Sequence, residues 1–210
     1  MGNETKIQLS PFEMDLLRNP EWILTKNQII KKAQRLLEEV QENIWEYTTS
    51  SPFNFPAEVI SIPPKISKGE NYRGLPWLML DYPRYFEKEN MHGRQSGVFA
   101  IRTMFWWGNF FSTTLHLSGE YKERYICAIA RSYQGLRQNE FYTCIHDEQW
   151  HHHFGKDNYL SVKNFSETEF ADQINKKSFI KLSCQLSFLE WNDAPGLLTE
   201  SVIRIANWLG

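Results

Sequence analysis

Two stretches of the chain show the spacing of apolar residues, every three or four positions, that is typical of an amphipathic helix. The apolar positions are Ile29, Ala33, Leu36, Val40 and Ile44 in the first stretch, and Leu198, Val202, Ile205 and Leu209 in the second. The charged residues of the first stretch lie largely outside the apolar stripe and mix both signs, which indicates a solvent-exposed face. We therefore expect long helices near both ends of the chain.

Three sites carry the signal that starts a helix, a Ser or Thr followed three residues later by Glu or Gln. They are Ser10 with Glu13, Thr25 with Gln28, and Ser166 with Glu169. Pro11 at the first helical position strengthens the first site. A short helix should therefore end near Asn19, a long one should start at Thr25, and a short one at Ser166.

Alternating and β-branched runs predict strands between these helices. The stretch from Val98 to Gly119 reads as a β-hairpin, with Gly108 and Asn109 as a two-residue turn. The apolar run from Leu75 to Asp81 predicts a buried strand. Residues 178–188 alternate apolar and polar side chains, as a half-solvated antiparallel strand does. By contrast, residues 62–74 and 82–97 contain Pro, Gly and polar residues and read as loops.

These elements predict one α+β domain over residues 1–210, with an antiparallel sheet of about five strands and helices on one of its faces. The other face would be partly open, covered by the loops around residues 62–74 and 82–97. A two-residue turn would place Trp107 opposite Phe110, and so Ile101 opposite His116.

Composition narrows the functional class. With 210 residues, 41% of them hydrophobic, the chain has enough apolar material for a core. The net charge of −2 argues against nucleic acid held by bulk charge. The three cysteines form no CxxC pair, the first residues do not resemble a signal sequence, and no apolar run is as long as a membrane span. We expect a cytoplasmic protein with mostly buried, reduced thiols and neither a nucleic-acid nor a membrane partner.

One face of the predicted hairpin carries side chains suited to a small-molecule pocket, because hydroxyls and an imidazole stand among aromatic walls there. They are Thr103, Ser112, Thr114 and His116. The same pattern also fits an ordinary half-exposed sheet face. Arg102 falls on the other face, where it must pair with a carboxylate or anchor an anionic ligand.

The stretch from His146 to His153 offers a second kind of site. His146, Glu148, His151 and His153 are residue types that bind divalent metals. However, the HExxH pattern is absent, and three adjacent histidines cannot all face one ion from a regular element. A solvated loop is the competing interpretation. Cys144 and His146 could likewise form a nucleophile pair, but a buried structural thiol explains Cys144 more simply.

A third kind of site is offered by the aromatic residues at the hairpin tip, which are Phe105 to Trp107, Phe110 and Phe111. If exposed, they would suit a protein partner or a homodimer; covered by helices and loops, they would be core. The leading hypothesis is non-catalytic binding of a small, anionic molecule through the His116 face, with no cofactor. The alternatives are a metal-dependent hydrolase using the histidine cluster and an interaction module using the hairpin tip.

Overall fold

A computed structural model describes residues 7–87 and 97–210 of the chain. Seven strands in this part form a single antiparallel sheet with the spatial order β1-β2-β3-β4-β7-β5-β6. The strands are β1 (Lys65–Tyr72), β2 (Leu75–Phe86), β3 (Val98–Trp106), β4 (Phe110–Ser118), β5 (Tyr142–Cys144), β6 (Tyr159–Ser161) and β7 (Phe179–Leu186). The predicted α+β class is confirmed, with seven strands rather than about five.

The helices surround one face of this sheet. They are α1 (Pro11–Arg18), α2 (Pro20–Ser50), α3 (Ala57–Ile60), α4 (Gly119–Arg131), α5 (Tyr133–Gln138), α6 (Glu167–Lys176) and α7 (Ala194–Leu209). The apolar stripes of α2, α4 and α7 share one core with every second residue of the central strands, among them Phe99, Ile101 and Leu115. Burying this area is the main favourable contribution to folding.

The capping signals of α1 and α6 are confirmed, since Ser10 and Ser166 both complete reciprocal capping boxes. The predicted start of α2 at Thr25 is wrong by five residues. The side chain of Asn19 accepts a hydrogen bond from the backbone N–H of Glu21 at 3.0 Å, and Pro20 takes the first helical position. Asn19 therefore ends α1 and caps α2 at once.

Two predicted loops contain strand. Residues 65–72 form β1, because Lys65 to Gly69 pair with the apolar strand β2 from Trp77 to Asp81. A neighbouring strand can thus recruit a polar, Gly-containing segment that has weak strand propensity of its own. The second predicted loop, residues 82–97, begins inside β2, which continues to Phe86. Residues 88–96 of that prediction lie outside the described residues.

The pairing register of the hairpin differs from the predicted one. Trp106 lies opposite Phe110, so the connection has three residues, with Gly108 at φ +71° in the left-handed region that glycine adopts freely. Consequently Ala100, and not Ile101, lies opposite His116, and Thr114 lies opposite Arg102. A shift of one residue exchanges the faces of one strand relative to its neighbour. Arg102 and His116, which the predicted register separated, share the sheet face away from the helices.

Candidate functional site

A row of polar residues crosses the sheet on the face away from the helices. Asp81 on β2 pairs with Arg102 on β3, which pairs with Thr114 on β4, and Thr114 pairs with Ser183 on β7. The next row contains His116 opposite Lys181. We call Asp81, Arg102, Thr114, His116, Lys181 and Ser183 the polar cluster.

Asp81 and Arg102 form a buried ion pair at one end of the cluster. Arg102 Nε donates to Asp81 Oδ1 at 2.7 Å, and both side chains are at most 12% exposed. This confirms the expectation that Arg102 finds a carboxylate. Arg102 Nη1, however, is buried with no hydrogen-bond partner among the described residues. One N–H-bearing nitrogen of the guanidinium is therefore left for another acceptor.

His116 is fully buried in the middle of the cluster. Its Nε2 lies 2.9 Å from Gln149 Oε1, and its Nδ1 has no partner among the described residues. Burial, together with the positive charges of Lys181 and Arg102, holds the pKa of the imidazole well below its usual range. The ring is therefore neutral at pH 7. Because Nε2 donates to the Gln149 oxygen, Nδ1 is a free acceptor.

Lys181 is a buried amine without a carboxylate partner in the described part of the chain, and its side chain is 1% exposed. The amine donates to the backbone carbonyl of His151 and lies 5.5 Å from the centre of the Tyr159 ring. Burial lowers its pKa to about 7, and the nearby Arg102 charge also disfavours the ammonium form. Alternation in residues 178–188 was predicted to leave Lys181 half-solvated, which is wrong because another segment covers this face.

The covering segment is residues 145–158, which contains no helix or strand. The hydroxyl of Tyr72 accepts hydrogen bonds from the backbone N–H groups of His152, at 2.6 Å, and His153, at 3.1 Å. Asn158 Nδ2 donates to the carbonyl of His153 at 2.6 Å. In the described structure this segment covers the polar cluster, and Phe86 of the predicted loop 82–97 also stacks on Arg102 at 5.6 Å. Residues 88–96 of that loop lie outside the described residues.

Trp150 belongs to the covering segment and packs on the cluster. Its ring lies 5.2 Å from the His116 ring and 5.8 Å from the Arg102 guanidinium carbon, and the residue is 45% exposed. Gln149, beside it, makes the hydrogen bond to His116. Trp150 and Gln149 therefore lie against the two residues with unpartnered nitrogens, Arg102 and His116.

The residues predicted to bind a ligand fall on two faces. Thr114 and His116 belong to the polar cluster, with Thr114 Oγ1 2.7 Å from Ser183 Oγ, and Ser112 lies on the same face one pair further along β4. Thr103 alternates with Ile101 and Phe105, which face the helix core, so it cannot act together with the other three. The one-residue register shift is the reason.

The histidine stretch predicted as an alternative metal site does not gather its ligands. The rings of His146 and His151 are 4.5 Å apart, but His146 Nδ1 accepts the backbone N–H of Glu148 and His153 Nε2 contacts Asp157. Within residues 7–87 and 97–210, no group of three or more His, Cys, Asp or Glu side chains could hold a metal ion.

Cys144 shows no sign of being an activated nucleophile. It is 3% exposed, its thiol lies 3.4 Å from Asn158 Oδ1, and burial raises its pKa. A thiol with a raised pKa is a poor nucleophile at neutral pH. The expectation of mostly buried thiols does not extend to Cys127, which is exposed.

Three of the five aromatic side chains at the hairpin tip are buried, and Trp107 and Phe110 are partly exposed. Trp106 is 6% exposed, and its indole donates to the carbonyl of Tyr72 at 3.3 Å. On the other face, Phe105 packs against Phe188 and Trp191. The tip therefore offers only two partly exposed rings to a partner, and its use as an interaction site stays a prediction.

Sequence reasoning missed Asp81, Gln149 and Trp150. Asp81 ends a predicted buried strand, and a charged residue there was a usable signal for a partner of Arg102. The positions of Gln149 and Trp150 depend on the path of an irregular segment, which has no periodicity to read.

Comparison with protein-family models, curated proteins and solved structures finds no match for this chain. In the part of the chain that the structure describes, no helix has both the length and the apolar character needed to cross a membrane.

Proposed function

We propose that the polar cluster binds a small anionic molecule that also carries a hydroxyl group. The observation that carries this proposal is the pair of buried, unpartnered nitrogens on one sheet face, Arg102 Nη1 and His116 Nδ1. Leaving a buried polar group without a hydrogen bond costs about 1–3 kcal/mol, so a ligand that supplies both partners gains free energy at this site.

The two nitrogens can bind different kinds of ligand atom. Arg102 Nη1 is a charged donor, which favours an anionic oxygen. His116 Nδ1 is an acceptor while Nε2–H faces Gln149, so it favours a hydroxyl donor. A hydroxy acid or a protonated phosphate has both kinds of atom. The guanidinium charge of Arg102 adds positive potential around such an anion.

Entry requires Trp150 and Gln149 to move, because both lie over the cluster. The 145–158 segment lacks regular secondary structure and is held by individual hydrogen bonds, so local opening costs less than opening a strand pair. We infer that this segment is the entrance to the site.

The proposal is tested by calorimetric titration with two matched pairs of anions at pH 7.5. Lactate and pyruvate differ in having a hydroxyl or a carbonyl, and phosphate and sulfate differ in whether a proton is available to donate. We expect lactate to bind more tightly than pyruvate, and phosphate more tightly than sulfate. Absence of binding by all four anions at millimolar concentration would overturn the proposal.

Three variants separate the role of the cluster from a general loss of structure. Arg102→Lys keeps a cation beside Asp81 but removes Nη1, and His116→Phe removes the Nδ1 acceptor. Each should raise the dissociation constant about tenfold or more, since a hydrogen bond to a charged group contributes about 1.5–3 kcal/mol. Thr103→Val, on the opposite face, should bind as the wild type does. Equal affinity in all three variants contradicts the assignment.

A further inference from the structure

The outward side of α2 carries a row of residues that are exposed to solvent, except for Glu38, which is partly buried. We call it the outer stripe; its members, three or four residues apart, are Leu24, Gln28, Lys31, Arg35, Glu38, Glu42 and Trp45. The buried residues of the helix, from Ala33 to Ile44, lie on its opposite side. The outer stripe is thus the part of α2 available to another molecule.

Apolar side chains at both ends of the outer stripe are exposed, Leu24 by 56% and Trp45 by 62%. Further exposed apolar residues lie towards the N-terminal end of the chain, in the first turn of α2, in α1 and just before it: Leu9, Phe12, Leu17, Trp22 and Ile23. Contiguous apolar surface of this kind is uncommon on an isolated chain and marks contact sites.

Charged side chains fill the middle of the outer stripe, with two cations followed along the helix by two anions. Lys31, Arg35 and Glu42 have no ion pair among the described residues, and the amide of Gln34 donates to Glu38 at 2.9 Å. When such a row lies antiparallel to a copy of itself, each cation meets an anion. A parallel arrangement would bring like charges together.

We propose that two copies of this chain associate through their outer stripes, with the α2 helices antiparallel and their midpoints aligned. Lys31 then opposes Glu42 of the partner subunit, and Arg35 opposes Glu38 of the partner subunit. Two-fold symmetry repeats both pairs, so one patch complements itself, as in most homodimers. Trp45 of the partner subunit faces Gln28, one helical turn from Leu24, and the two exposed apolar ends cover each other.

The test is the molar mass of the full chain in solution by light scattering and sedimentation, with two charge-reversed variants. Lys31→Glu/Arg35→Glu makes the middle of the stripe all negative, and Glu38→Lys/Glu42→Lys makes it all positive. We expect a dimer for the wild type and a monomer for each variant alone. An equimolar mixture of the two variants should restore a dimer, because opposite stripes then meet.

The control reverses two exposed acids away from α2, Asp172→Lys/Glu190→Lys, and should remain a dimer. Circular dichroism checks that every variant keeps its helices. Weakening of the dimer at high salt is also expected, because exposed charges are screened over about 10 Å at 0.1 M salt. A monomeric wild type at high protein concentration, or a mixture that stays monomeric, refutes the interface.

Discussion

Replacing Lys181 by Met should make the protein more stable at neutral pH, by an amount that shrinks as the pH rises. Met keeps a long, unbranched side chain at the same place but carries no titratable group. The charged and titratable groups that face this amine are Arg102 on β3, His116 on β4, the covering-segment residues Glu148, His151 and His152, and the Cys144 thiol on β5.

The sign and size of the stability difference between Lys181→Met and the wild type follow from the pKa of the Lys181 amine. Lys181 titrates at 10.5 in the unfolded chain and at about 7 in the fold. Between these values the unfolded state binds one proton more, so the free energy of unfolding rises with pH by about 1.4 kcal/mol per pH unit. Over the full interval that amounts to about 5 kcal/mol of stability, absent at pH 7 and regained towards pH 10.5. Lys181→Met has no such contribution.

Loss of the amine also leaves the carbonyl of His151 without its donor, at a cost of about 1–3 kcal/mol. The net gain at pH 7 should therefore be about 2–4 kcal/mol. The change of the stability difference with pH does not depend on this cost. From pH 7.0 to 8.5 the advantage of Lys181→Met over the wild type should fall by about 2 kcal/mol, because the other titrating groups are the same in both proteins and cancel in the difference.

The assay is urea unfolding followed by fluorescence at several pH values, with the two proteins measured side by side. Lys156→Met, at an exposed position, is the matched control and should show no pH-dependent difference from the wild type. A constant difference between Lys181→Met and wild type from pH 7.0 to 8.5 would show that Lys181 stays protonated in the fold. The account of the polar cluster as a site with a neutral amine would then be wrong.

Three further outcomes are expected. Asp81→Asn should lower the free energy of unfolding by about 3–5 kcal/mol in urea, because it leaves the Arg102 guanidinium buried without its carboxylate; a loss below 1 kcal/mol would contradict a buried pair. Ser166→Ala should lower it by about 1 kcal/mol by removing the capping box of α6, with exposed Ser178→Ala as the neutral comparison. The free energy of unfolding of the wild type should fall as the pH drops below 6.5, because His116 binds a proton in the unfolded chain but not when it is buried in the fold. This loss should be smaller in His116→Phe. The same pH dependence in both proteins would contradict a neutral His116 imidazole.

Two features of the candidate site can be predicted from the sequence, and one cannot. The alternation along β7 correctly groups Lys181 with Ser183, and the charge of Arg102 in an apolar strand correctly indicates a carboxylate partner. Whether Arg102 stands beside His116 depends on the hairpin loop having three residues and not two. The sequence of the turn is compatible with a loop of either length, so one residue in the loop decides whether Arg102 and His116 share a face.

Local interactions in the sequence by itself determined the α+β class, the caps at Ser10 and Ser166, and the apolar stripes of α2 and α7. Capping and periodicity involve residues within a few positions of each other, so they can be read along the chain. Tertiary structure alone decided that residues 65–72 pair as an edge strand, and that residues 145–158 fold over the polar face of the sheet. Those outcomes depend on partners tens of residues away, such as Tyr72 for His152, and on burial that no local pattern specifies.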